Sequence, residues 1–402
     1  MRAVIYGAGN IGRGFIARLF AGSGYKITFI DTAAPLIEAL NSEKRYPVRL
    51  LSPGNTRDVW IEDICAISGL DAEKAEQAIA GADILATAVG VRVLPAIAPV
   101  IARGLRKRFN NNGKPLNIII CENLIDADHV LAQYIKDELE SGELHFLDQT
   151  GFIKASIGCM VPIQTEAMKD GNSLRICTED YSRLPVDKKA FRGEIPSAGG
   201  LEAYGNFDFY MERKLFIHNM GHGICAYLGM YLGDEFIYEA VNRPDILFIA
   251  QNAMLESAFA LSGKHNEPIT DLYLHIMDLL RRFANRALGD TCARVGADTV
   301  RKLGPRDRFA GAIRCCEDQN VKPLFASIGA AAALYRYLAE NNLAQEKSEA
   351  CRILEEVSQL PRDSSGSGLI VSMYSHMSGE KTLFNSADHS FPAAQTLQFF
   401  DP

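Results

Sequence analysis

Four side chains able to handle a proton or bind an oxygen stand within nine residues of one apolar stretch. In Arg213 to Gly229, RKLFIHNMGHGICAYLG, the polar groups Lys214, His218, Asn219 and His222 interrupt residues apolar enough to be buried. Burying such groups costs free energy unless each is used or paired. On a helix advancing about 100° per residue they fall at roughly 0°, 40°, 140° and 80°, so one site can see all four. Three chemistries compete. The first is acid–base work on a hydroxyl, in which a lysine with its pKa pulled down by an apolar site accepts the proton and Asn and His hold the oxygens. The second is a metal on His218 and His222, an i,i+4 pair, although no glutamate stands between them and no third ligand is near. The third is a plain core helix whose polar groups are satisfied locally and whose Gly221, Gly223, Ala226 and Gly229 mark close helix packing.

The elements that must position this stretch begin at the other end of the chain. Ala3 to Tyr6 reads as a buried strand running into Gly7-Ala8-Gly9-Asn10-Ile11-Gly12, followed by helical periodicity from Arg13 to Phe20 and a second strand, Lys26 to Ile30, ending in Asp31. A G-x-G-x-x-G alone is weak, but here strand, helix, second strand and an acid nineteen residues beyond Gly12 complete its context. Gly7 permits the tight turn, Gly9 lets backbone approach a pyrophosphate, and Gly12 lets the helix press on the strand. Asn10 and Ile11 complete the loop, whose amides offer an anion site at the helix start. Asp31 accepts from both ribose hydroxyls and repels a 2′-phosphate, which favours NAD over NADP.

Alternation continues. Helices are expected over Leu36 to Asn41, Ala72 to Ala80, Leu94 to Arg108 and Ala127 to Leu139, and strands over Ile84 to Ala88, Leu116 to Cys121 and His145 to Leu147. In a doubly wound sheet, strand ends line the ligand crevice, which places Thr87, Val89 and Gly90 along the cofactor and Asn123 facing the crevice. Turn residues cluster between Arg192 and Gly205, and helical periodicity then runs from Phe207 to Leu343. The expected architecture is an α/β Rossmann-type doubly wound domain over residues 1–191, a mainly helical domain over 206–370 and a polar tail over 371–402. The site is expected where the two domains meet.

Composition narrows the classes. A net charge of -7 over 402 residues argues against a general nucleic-acid surface. The most apolar long stretch, Ala82 to Ala102, is broken by Asp83, Arg92, Pro95 and Pro99, which argues against a membrane span. Nine scattered cysteines without C-x-x-C spacing fit a reduced, cytoplasmic setting. No signal peptide is expected, because a strand begins within three residues of Met1.

At Lys214, Asn219, His222, Ala226, Tyr227 and Gly229 the chain fits K-x4-N-x2-H-x3-A-Y-x-G and so resembles the polyol-specific long-chain dehydrogenases. GAGNIGRGFI at Gly7, TAVG at Thr87, LNIIICEN at Leu116, and RKL at Arg301 followed by Asp307-Arg308 extend the resemblance over most of residues 1 to 343, with a start similar to the branch acting on mannitol 1-phosphate. The resemblance implies Lys214 as general base, Asn219 and His222 holding the reacting oxygen and a neighbouring hydroxyl, Asn123 as a second donor, and no metal. It departs from the family pattern at Gly158-Cys159, where an Asp-Arg pair is usual, and near Leu184, where a tryptophan is frequent; the only tryptophan is Trp60. A phosphorylated substrate needs a basic cluster. Arg301, Lys302, Arg306 and Arg308 supply one, with Arg301 and Arg308 favoured for their planar forks, against the alternative of a solvated helix end. The implied reaction interconverts a polyol (phosphate) and a ketose (phosphate), foremost mannitol 1-phosphate and fructose 6-phosphate. An unphosphorylated polyol, a hexonate or keto-uronate, and a nicotinamide-binding regulator without turnover stay open.

Overall fold

The structure, a computed structural model, describes residues 1–380 and divides into two compact units between Tyr210 and Met211. The first unit carries eleven strands: β1 Arg2–Tyr6, β2 Lys26–Asp31, β3 Tyr46–Ser52, β4 Asn55–Ile61, β5 Ile64–Ser68, β6 Ile84–Thr87, β7 Leu116–Ile120, β8 Thr150–Lys154, β9 Ile176–Glu179, β10 Leu184–Asp187 and β11 Leu201–Tyr204. Six form one parallel sheet in the order β5-β2-β1-β6-β7-β8. Numbered within that sheet the order is 3-2-1-4-5-6, whose switch point lies between β1 and β6. Helices cover both faces, so the strands are apolar nearly throughout, and all five residues of β7 are buried. Side chains alternate between two cores: Ile5, Phe15, Phe29 and Ile119 on one face, and Val4, Tyr6, Leu85, Ile101 and Ile118 on the other.

Three features differ from the sequence expectation. His145 to Leu147 is no strand but part of a run of tight helical turns, Ser141–Gln149, started by a Glu140–Glu143 capping box; the strand begins at Thr150. A short apolar run does not distinguish the two. Second, residues 46–61 form an antiparallel hairpin, to which β9 adds in parallel. Its strand β4 is largely exposed, so it lacks the apolar signature of the others. Third, β11 pairs with β10, Leu201 opposite Leu184, which carries the first unit past residue 191 to Tyr210.

The second unit is helical. Its longest helix, Pro244–His265, is long and apolar enough to cross a bilayer, and half of its most apolar window is buried within the protein. The polar tail expected from residue 371 begins inside a helix, Ser365–Glu380. There Ile370, Met373, Tyr374 and Met377 are buried at i, i+3, i+4 and i+7 behind a Ser- and Gly-rich composition that hides the period. The remainder of that expected tail lies outside the described residues.

Candidate active site

In the first unit the turn after β1 is built by exclusion. Gly7 adopts φ 100°, and a Cβ there would sit 2.4 Å from the Ala88 carbonyl oxygen; a Cβ on Gly12 would sit 2.0 Å from the Gly7 carbonyl oxygen. Over Gly9 a Cβ would meet nothing within 4 Å. Two glycines are therefore forced by close packing, while the third faces open space, the arrangement a dinucleotide pyrophosphate requires. Asn10 and Ile11 follow at the rim, exposed and half-buried. Asp31 ends β2 half-exposed; its Oδ2 accepts from the Ala8 amide at 2.7 Å and its Oδ1 from the Ala33 amide at 2.9 Å. The carboxylate thus stands at the strand end and also fixes the turn ahead of the helix. These residues fit a bound dinucleotide.

At the switch point Thr87 is fully buried, and its hydroxyl donates to Glu122 Oε2 at 2.6 Å. Oε1 of the same glutamate accepts from the Val89 amide at 3.0 Å. Burial pushes the Glu122 carboxyl up, against the hydrogen bonds from Thr87, Val89 and Gly90, which favour its charged form. Glu122 therefore ties the end of β7 to the Thr87–Gly90 segment, in which Gly90 is exposed at φ 88°. Asn123, next along, is exposed just beyond the carboxyl end of β7. Sequence reasoning passed over Glu122. Its signal was an acid in an otherwise apolar strand end.

In the second unit Lys214 to Asn219 form a π-helical segment between the α-helices Phe207–Arg213 and Met220–Leu232. In such a turn the i→i+5 pairing brings residues five apart over one another, so Lys214 and Asn219 lie closer in angle than the α-helical reading gives. Both are half-buried. His222 stacks on Phe283, with ring centroids 4.7 Å apart and planes at 10°. Burial holds its pKa down to about 4, against the field of Asp290, and burial likewise holds His218 well below the usual histidine range. Both shifts favour the neutral ring at pH 7. Nε2 of His222 is buried without a hydrogen-bond partner. The packing reading also has substance here, since a Cβ on Gly221 would sit 2.4 Å from Met254 Sδ. Among the described residues no group of three His, Cys, Asp or Glu side chains could hold a metal ion.

The basic cluster divides. Arg301 is partly exposed and spent on Asp298 at 2.7 Å and Asp307 at 3.2 Å. Arg308 is buried; its Nε bonds Asp307 at 2.8 Å, and its Nη1 lies 3.4 Å from the Asn219 carbonyl oxygen. Asp307 thus joins the two arginines, and Arg308 reaches the segment that carries Asn219. Lys302 is buried as well, and its pKa is pulled down to about 8 by burial and by Arg308 and Arg301. The sequence reading ranked this lysine below the arginines, because burial of an ammonium group is not visible in a charge pattern.

Comparison with known proteins agrees with both units. Residues 1–198 match the mannitol dehydrogenase Rossmann domain and residues 206–363 the mannitol dehydrogenase C-terminal domain. The chain is 36% identical to mannitol-1-phosphate 5-dehydrogenase of Brevibacillus brevis, covering 83% of this chain and 86% of that one. It is 35% identical to the enzyme of that name from Thermoanaerobacter pseudethanolicus, covering 89% and 90%. Among solved structures it superimposes on Pseudomonas fluorescens mannitol 2-dehydrogenase in ternary complex with NAD and D-mannitol at TM-score 0.72, with 15% identity and 95% and 92% covered. A D-sorbitol dehydrogenase in substrate-free form gives TM-score 0.75 at 15% identity, with 94% and 93% covered. A Rossmann-type unit with a forced glycine turn, a helical unit with the Lys214–His222 constellation, and two consecutive family matches place this chain in the mannitol dehydrogenase family, as an oxidoreductase.

Proposed function

We propose that the protein is an NAD-dependent polyol-phosphate dehydrogenase that interconverts mannitol 1-phosphate and fructose 6-phosphate. The observation that carries the phosphate is the buried pair Lys302 and Arg308. Arg308 is paired with Asp307, but Lys302 makes no ion pair among the described residues, and an ammonium group buried within the field of Arg308 is costly without an anion of its own. A phosphomonoester brings about two negative charges and three acceptor oxygens, which meets that cost. The identity to mannitol-1-phosphate 5-dehydrogenases over most of both chains supports the same substrate.

The nicotinamide, when bound, supplies the hydride acceptor for polyol oxidation and the hydride donor for ketose reduction. The remaining work belongs to this chain. Lys214 takes the proton of the reacting hydroxyl in oxidation and returns it in reduction, while Asn219 and Asn123 donate to that oxygen. Nε2 of His222, buried and unengaged, binds a substrate hydroxyl. Asp31 selects NAD over NADP by meeting the ribose hydroxyls and opposing a 2′-phosphate. On this reading catalysis needs no metal, and the rate should be unchanged after dialysis against a chelator. The test of substrate is NADH oxidation with fructose 6-phosphate, fructose and a keto-uronate in parallel. Fructose 6-phosphate is reduced with by far the highest kcat/KM; a better rate with either of the others overturns the phosphate assignment.

A further inference from the structure

Arg13 directly follows the glycine turn, yet its guanidinium is buried, with the residue only 8% exposed. Its Nε donates to the Ala8 carbonyl oxygen at 2.6 Å and its Nη1 to the Leu174 carbonyl oxygen at 2.7 Å, and it makes no ion pair with any carboxylate among the described residues. The ring of Tyr46 lies below it, 5.8 Å from centroid to guanidinium carbon, and the Tyr46 hydroxyl donates to the Arg13 carbonyl oxygen at 2.8 Å. The arginine is thus locked between the turn, the β3 strand and the segment entering β9.

Ala8 is gripped at both ends, its amide by Asp31 and its carbonyl by Arg13. A carbonyl oxygen beside a diphosphate repels it, and one whose lone pair is held by a guanidinium does so less. The buried cation, in no ion pair though within the field of Asp31, also adds positive potential at the turn, where the helix start already favours anions. Burial lowers the Arg13 pKa, with Tyr46 and Asp31 opposing, so its charge is maintained at a cost that a bound diphosphate offsets.

We propose that Arg13 is a positioning residue for the dinucleotide, which orients the Ala8 peptide and supplies the charge that the diphosphate answers. The test titrates full-length wild type, Arg13→Met and Arg13→Lys with NADH and with ADP-ribose, and records the melting temperature of each without ligand. Arg13→Met raises both dissociation constants at least tenfold, while kcat at saturating NADH stays within threefold and KM for the sugar is unchanged. Arg13→Lys, which keeps the charge and one donor, falls between. Dissociation constants within twofold of wild type, with only the melting temperature lowered, would reduce Arg13 to a structural anchor and overturn the proposal. Should Arg13→Met fail to fold, Arg13→Lys decides alone: a rise of at least threefold for both ligands supports the assignment, and no rise rejects it. Failure of the wild type itself to bind NADH would instead reject the cofactor reading on which this inference rests.

Discussion

Oδ2 of Asp290 stands 3.5 Å from Nε2 of His222, yet both oxygens of that carboxylate bond the guanidinium of Arg294. The histidine nitrogen makes no hydrogen bond, which suits the proposed contact with a substrate oxygen, and the carboxylate serves as a neighbouring field. His222→Phe, which keeps the stack on Phe283, is expected to lower kcat by about 10²–10³, the usual cost of losing one placed polar group at a developing charge. Steady-state kinetics at saturating NADH checks this.

The same histidine sets an acid limit. Its folded pKa of about 4 lies below the unfolded value near 6.5, so the unfolded chain binds the extra proton first. Stability is lost as pH falls from about 6.5 towards 4, by up to roughly 3 kcal/mol. Urea unfolding at pH 7 and pH 4.5 measures the difference, and His222→Phe should shrink it.

Lys302 predicts a limit at the alkaline end. Its charge disappears as pH rises through about 8, so KM for fructose 6-phosphate should climb above that pH. Lys302→Met should raise KM about tenfold or more at pH 7 and flatten the climb, since a charged hydrogen bond to phosphate is lost. Arg308→Ala should act in the same direction. Arg301→Ala should change KM less than threefold, because its guanidinium is partly exposed and already engaged by Asp298 and Asp307.

Lys214→Ala is expected to cut kcat in both directions by about 10²–10⁴, the range of general acid–base contributions, without weakening NADH binding. A fluorescence titration alongside the rate measurement separates the two. Near wild-type turnover would return Lys214 to the plain packing role.

Asp31→Ala carries a double consequence. Discrimination against NADPH should relax, and NADH should bind more weakly as well, because the same carboxylate holds the Ala8 amide and a lost charge-assisted bond costs about 1.5–3 kcal/mol. The ratio of kcat/KM for the two cofactors, read beside the NADH dissociation constant, distinguishes lost selectivity from a loosened turn.

The parts legible from sequence were those in which chemistry imposes spacing. The turn from Gly7 to Gly12 shows in any correct reading because backbone atoms exclude every other side chain at two of its glycines. Strands buried on both faces, such as β7, show as apolar runs. The exposed strand β4 and the helix Ser365–Glu380 did not, since β4 lacks an apolar face and the buried stripe of the helix is masked by its Ser- and Gly-rich composition. Glu122 and Arg13 escaped, and Lys302 was ranked below its arginine neighbours, for one further reason. A charge pattern shows which residues are ionic, and only the packed fold shows which of them have been taken out of water.

The π-helical segment Lys214–Asn219 inserts extra arc into an otherwise continuous rod. Residues before and after it are thereby out of phase with one another, so the rod presents one meridian at Lys214 and another at Gly221, which packs against Met254. The packing at Gly221 can be recut without rotating Lys214, whereas deletion of a single residue within the segment would turn Lys214 away while leaving that packing intact.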